Sequence, residues 1–259
     1  MKAQVKKISA VMAFVCVFAA QAEDVVESAN VFGLMAVNSG TTNTIVATPW
    51  MSATGEGSVV VSNIVKTTNL TVGDKLYVIN GNDEDAFYEG WELKSGNYWG
   101  SIGKFTLNSN GTMSEAVSVD PQYKTIGRGQ GVWLVRQNPT SGPFYLYGQY
   151  TNVAATTTIT AGSENSPVWH LVGNSSATDK SLNAAISGTV DAKDTIVVPI
   201  GNMPTLFTYT NGFWGCAAYS NVIKGGITSR YPYRDTTSIV PAGTGFWYVS
   251  RGGTPVITW

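Results

Sequence analysis

Beyond its N-terminal segment the chain alternates apolar and polar positions over short runs, and turn dipeptides interrupt these runs about every ten residues. No stretch there holds apolar side chains at i, i+3, i+4 and i+7 for the length of a helix. β-Branched and aromatic runs separated by Gly, Thr, Ser and Asn predict an all-β chain of sandwich or barrel type, because such runs suit a half-buried pleated surface. Three hairpins can be placed. "WELKSGNYW" (Trp91 to Trp99) turns at Gly96-Asn97, "FTLNSNGTMSEAVSV" (Phe105 to Val119) at Asn110-Gly111, and "FTYTNGFW" (Phe207 to Trp214) at Asn211-Gly212. Asn and Gly accept the positive φ angles of a type I′ turn, whose twist matches the strands it joins.

The pattern also recurs on a larger scale. "GRGQGVWLVR" (Gly127 to Arg136) has a near-copy in "PAGTGFWYVSR" (Pro241 to Arg251), and two earlier landmarks precede each copy in the same order. "NIVKTTNLTVGDKLYV" (Asn63 to Val78) runs beside "NAAISGTVDAKDTIVV" (Asn183 to Val198), with Asp74 against Asp194. "GNYWGS" (Gly96 to Ser101) meets "NGFWGC" (Asn211 to Cys216). The openings compare more loosely, "TNTIVATPW" (Thr42 to Trp50) with "SPVWHLVGN" (Ser166 to Asn174). Collinear landmarks are the mark of an internal repeat. The organisation predicted is a signal peptide over 1–22, a first β module over 23–152, a linker or edge strand over 153–164, and a second β module over 165–259, the modules being two domains or the halves of one.

In each copy of the closing motif both faces of the strand are apolar, so the run reads as a strand buried on both sides. Trp133, Trp247, Trp99 and Trp214 are expected in the module cores, with Arg136 and Arg251 marking the exit to solvent. The two glycines before each run suit a bulge or a close approach of another backbone. They lead into a strand, so the helix dipole of a phosphate cradle is missing.

This order of landmarks resembles a family of secreted bacterial repeat modules of uncharacterised role, with Trp-Asn-Leu-Ile-Gly-Asn-Pro-like openings and Gly-x-Gly-Phe-Trp endings. His170 stands where the opening usually has Asn, and the first copy lacks the Trp. The resemblance implies a secreted β-rich module and assigns no functional residues.

Composition narrows the partners. Lys2, Lys6 and Lys7 precede the apolar run Ile8 to Ala20, which closes on Ala20-Gln21-Ala22, the layout of a secretory signal cleaved before Glu23. The run is shorter than the roughly 20 residues of a spanning helix, so no stable membrane span is expected, and the protein is expected to be secreted, periplasmic or at the cell surface. Of two cysteines, Cys16 leaves with the signal and Cys216 has no internal partner for a disulfide. A net charge of −1, with 13% charged residues, gives no concentrated basic surface for nucleic acid.

Candidate chemistry is sparse. His170, the one histidine, lies in the apolar run "VWHLV" without a Gly-x-Ser-x-Gly elbow, and Cys216 matches Ser101 of the other repeat. "NGNDED" (Asn80 to Asp85) offers oxygen ligands of the kind calcium takes, but its spacing is not that of an EF-hand and a solvated loop is the expectation. Glu89, Glu92, Asp120 and Asp235 are carboxylates that a glycosidase would need to pair across a cleft. No catalytic residue, metal ligand or cofactor is assigned. The excess lies in aromatics, with eight Trp and twelve Tyr. Trp50 and Trp91, unmatched in the other repeat, and Tyr231 and Tyr233 of "RYPYR" are the candidate ligand-binding residues, since aromatic faces stack on sugar rings. The leading expectation is a non-enzymatic structural or interaction protein of a bacterial envelope or matrix, meeting extracellular polysaccharide or another envelope protein. A carbohydrate-binding module is the alternative, ahead of an outer-membrane β-barrel or a hydrolase.

Overall fold

The computed structural model describes residues 31–37, 43–47, 58–60, 65–66, 69–79, 88–107, 113–116, 125–139, 142–150, 154–199, 204–224 and 227–259. The predicted signal segment, Trp50, Asp120, the loop Asn80 to Asp85 and the turn Asn110-Gly111 lie outside them. Period-two alternation produces what it should: 22 strands and one helical turn succeed one another along the described chain. The fold is all-β, and its named strand pairings are all antiparallel.

The first eleven strands are β1 (Val31–Val37), β2 (Asn43–Ala47), β3 (Ser58–Val60), β4 (Val65–Lys66), β5 (Lys75–Val78), β6 (Tyr88–Lys94), β7 (Tyr98–Leu107), β8 (Met113–Ala116), β9 (Thr125–Gly127), β10 (Gly131–Val135) and β11 (Phe144–Tyr150). The next eleven are β12 (Thr156–Thr158), β13 (Val168–Gly173), β14 (Lys180–Ser181), β15 (Ile186–Thr189), β16 (Thr195–Val198), β17 (Thr205–Thr210), β18 (Phe213–Lys224), β19 (Ile227–Asp235), β20 (Ile239–Val240), β21 (Gly245–Ser250) and β22 (Thr254–Thr258). A single helical turn, α1 (Leu182–Ala185), separates β14 from β15 and is capped by the Ser181 side chain, which accepts from the Asn183 amide. That turn breaks the all-strand expectation, and the Ser181 cap was its one sequence signal.

Each strand has a counterpart eleven places later. The six-stranded sheet β2-β10-β5-β6-β7-β8 matches β13-β21-β16-β17-β18-β19, the three-stranded β1-β11-β4 matches β12-β22-β15, and the ribbon β3-β9 matches β14-β20. The registers agree as well: Trp133 pairs with Ile45 where Trp247 pairs with Leu171, and Trp99 pairs with Leu93 where Trp214 pairs with Tyr209. The segment 153–164 contains β12, an edge strand on β22.

In each half the inner face of the six-stranded sheet packs on the small sheet and the ribbon. Leu76, Trp91, Trp99 and Leu134 meet Ile126 of β9 and Phe144 of β11 in the first core. Ile196, Phe207, Trp214 and Tyr248 meet Val240 of β20 and Ile257 of β22 in the second. Two fully buried aspartates lock corresponding corners. Asp74 accepts from the Thr71 and Gln137 amides at 2.9 and 2.6 Å, and Asp194 from the Asp191 and Arg251 amides at 3.2 and 2.6 Å. Asp194 also accepts from the Tyr248 hydroxyl at 2.8 Å. Burial, then the charge of Asp194, raises the Tyr248 pKa, so the phenol remains a donor.

Two expectations for the closing strand are corrected here. Trp133 and Trp247 do not sit in the module cores; they are half-buried on the outer faces, while Val132 and Leu134, or Phe246 and Tyr248, fill the inner ones. Nor does Arg136 exit to solvent. It is 1% exposed and donates to the carbonyls of Asn69 at 2.8 Å and Gly142 at 3.0 Å. Arg136 lies three residues beyond Trp133 and therefore on the opposite face, whereas Arg251 lies four beyond Trp247 and on the same face.

Candidate functional site

The outer faces of β10 and β21 meet, and the Gly-x-Gly motifs explain how. The Ala47 amide donates to the Gly243 carbonyl at 2.9 Å, and its counterpart Gly173 donates to the Gly129 carbonyl at 2.9 Å. Val46 bridges Thr244 as Val172 bridges Gln130. Each contact thus occurs twice with the halves exchanged, as in an isologous interface. Gly129 and Gly243, at φ +81° and +69°, make the turns that present these carbonyls. Gly131 has no room for a side chain: a Cβ there would stand 2.8 Å from the Val172 carbonyl oxygen and 2.9 Å from Leu171 Cγ. A shared apolar cluster of Ile45, Ile79 and Leu171, flanked by Tyr88, Trp133 and Trp247, closes the junction.

Beside this cluster the two outer faces leave a cleft of about 640 Å³ lined by Asn43, Tyr77, Ile79, Tyr88, Trp133, Val135, Trp169 and Trp247. Its rings form a continuous series. Tyr77 lies 5.7 Å from Tyr88 and 5.3 Å from Trp133; Trp133 meets Trp247 edge-on at 6.4 Å, and Trp247 meets Trp169 edge-on at 5.9 Å. Tyr88 is backed by Phe105, stacked at 4.6 Å. Gly90 makes the series possible, because a Cβ there would stand 2.7 Å from the Tyr77 ring. Trp169 stands at the rim, 41% exposed. Burial, reinforced by the neighbouring Tyr88 and Glu92, raises the Tyr77 pKa and keeps its phenol protonated. Glu92 is itself balanced by Lys94, 2.8 Å away.

The sequence candidates fall elsewhere. Trp91 is fully buried in the first core and occupies the register of Phe207, so it has a counterpart and offers no surface. Tyr233 is 52% exposed, but β19 is four strands from β21, roughly 19 Å at ordinary strand spacing, and Tyr231 shares that strand. Tyr233 does not reach the cleft. The cleft residues passed over in sequence carried one signal, the second apolar face of the closing strands. What covered that face depended on a contact between halves that alternation does not encode.

The considered chemistry is not assembled. His170 is buried, its Nε2 3.2 Å from the Thr160 carbonyl oxygen, and burial lowers its pKa against the opposing pull of that hydrogen bond. Cys216, on β18, lies roughly 19 Å away across four strand spacings. Burial, then Asp235, raises its thiol pKa and disfavours the thiolate. Glu89 is buried on the core side of β6, paired across from Val78, while Glu92 is on the outer side across from Lys75, so the two cannot flank one bond. Among the described residues no three His, Cys, Asp or Glu side chains gather as a metal site, and no helix is long and apolar enough to cross a membrane. Compared with protein-family models, curated proteins and solved structures, the chain matches none.

Proposed function

We propose that this chain is a secreted, non-enzymatic interaction protein of a bacterial envelope or matrix, built from a duplicated β module and making its contact through the aromatic cleft between the copies. The observation that carries the reading is the cleft itself. Five Tyr and Trp rings line one concavity at the junction, where a soluble chain would otherwise bury them or replace them with polar side chains. Export is supported by the basic, apolar and small-residue succession of residues 1–22. Duplication is supported by the matched strand orders and by landmarks in matching order. The described sheets have two, three and six strands in open order, whereas a transmembrane barrel requires closure, so the barrel reading has no support here.

The test uses mature protein beginning near Glu23 and envelopes of the producing bacterium. Wild-type protein is expected to sediment with the envelopes, and Trp169→Ala, with an unchanged melting profile, to remain in the supernatant. Equal retention of the two would remove the cleft from the function.

A further inference from the structure

Resting on that reading of the cleft, we propose that its partner is a second molecule of the same chain, whose β18–β19 ribbon enters the cleft so that molecules join head to tail. The ribbon is the least supported element of the sheet. β17 pairs with β18 only between Phe213 and Cys216, and among the described residues 217–224 pair with 227–234 of β19 alone. They form an arm of roughly 27 Å at ordinary strand rise. In the first half β7 stays paired with β6 from Tyr98 to Phe105, so the arm is peculiar to the second half. Its root is fixed: Arg234 donates to the Thr208 and Phe213 carbonyls, the latter at 3.1 Å, and lies 5.2 Å over the Phe213 ring. Beyond that root a two-stranded ribbon is marginal in water unless something covers it.

Charge chooses the cover. Residues 217–234 hold Lys224, Arg230 and Arg234 and no carboxylate. Without Lys2, Lys6 and Lys7 of the signal, 13 basic and 17 acidic residues remain, so the arm carries +3 and the rest of the mature chain −7. Arms repel arms and bodies repel bodies, while an arm is drawn to the body of another molecule. On that body the cleft offers an open wall of indoles, with Trp169 exposed at its rim. Tyr and Arg, which crowd the arm in "RYPYR", are the residues that pack best against such a wall, and Tyr233 is 52% exposed there. By sequence, Asp83, Glu84 and Asp85 lie on the connection between the lining residues Ile79 and Tyr88. The arm does not serve its own cleft, because it runs along the strands while that cleft lies across them, roughly 19 Å from β19 to β21. Nor does the edge of β19 invite strand addition, since Pro232 in its middle has no amide to donate. A contact between unlike surfaces leaves one of each free at the ends and so propagates.

The experiment is sedimentation velocity of the mature protein at concentrations up to about 1 mM. Wild type is expected to form dimers, trimers and longer chains, and raising NaCl to about 0.5 M should weaken each step about tenfold. Tyr233→Ala in the arm and Trp169→Ala in the cleft should each weaken it by about tenfold with unchanged melting profiles. Lys224→Glu, at an exposed arm position, should do the same without removing a ring. Mixed together, the Tyr233→Ala and Trp169→Ala proteins should regain one step and stop at the dimer, because each supplies the surface that the other lacks. A monomer at every concentration, association that the arm and cleft variants leave unchanged, or a mixture that stays monomeric would overturn the inference. If Trp169→Ala loses envelope retention while wild type stays monomeric, the contact surface stands and the second molecule falls; if that variant keeps both retention and association, both readings fall.

Discussion

Arg136 and Arg251 follow the same motif and differ by one residue step, which sends the first inward and the second outward. Arg136→Ala removes its hydrogen bonds to the part-buried carbonyls of Asn69 and Gly142 and leaves a cavity where a fully buried side chain stood, at about 1–3 kcal/mol in all. Arg251 is partly exposed and holds only the Lys193 carbonyl and the Thr195 hydroxyl, so Arg251→Ala should cost less than about 1 kcal/mol. Urea denaturation of the two variants should show that order; equal costs would contradict the buried placement. His170 gives a pH signature. Its folded pKa lies below the ordinary 6.5, so the unfolded chain binds the proton more readily and stability is lost as pH falls from 6.5 through the folded value. His170→Gln should flatten that part of a stability-versus-pH curve while leaving values above neutrality parallel to wild type. Both arginine placements could have been read from alternation by counting from the tryptophan. The burial of His170 could not, because its cover comes from the Thr160 segment and not from its own strand.

At the scale of elements, strand type and turn chemistry were largely legible. Thr210 pairs with Phe213 around Asn211-Gly212, at φ +55° and +86°, and Gly96 and Asn97 are likewise at positive φ. These turns write their own geometry locally, since few residues besides Gly and Asn tolerate it. Register was less legible. Comparing "TNTIVATPW" with "SPVWHLVGN" end to end sets Asn43 beside Pro167, whereas pairing to β10 and β21 sets Asn43 beside Trp169. The slip is two residues, and a two-residue slip leaves every side chain on its own face. Hydrophobic pattern is therefore blind to it, and only the partner strand resolves it. Trp91 went astray for a related reason: its counterpart Phe207 is aromatic but not tryptophan, so matching by identity made a core residue look unique.

For the whole molecule the junction is the decisive feature, and it rests on backbones that touch. Adding a methyl group at Gly245 drives it into Ile45 and places it 3.1 Å from the Val46 carbonyl oxygen. Gly245→Ala should cost about 1–3 kcal/mol, as overpacking generally does. Because the contacts are reciprocal, hydrogen exchange should quicken at Ala47 in one half and Gly173 in the other. Acceleration confined to one half would mean that the halves do not share the interface. This contact was the least legible part of the chain, since it joins residues far apart in sequence, Gly129 with Gly173 and Ala47 with Gly243, and the glycines announce only that something comes close. The junction also has a consequence for polarity. Exchange of the halves carries Trp133 onto Trp247, but it carries Asn43 onto Trp169 and Tyr77 onto Val197. Two identical subunits would build a site that reads the same from either end and would accept a linear guest in both directions. Joining the copies in one chain let one end become amide and phenol and the other indole, so a guest with a head and a tail has one way to lie.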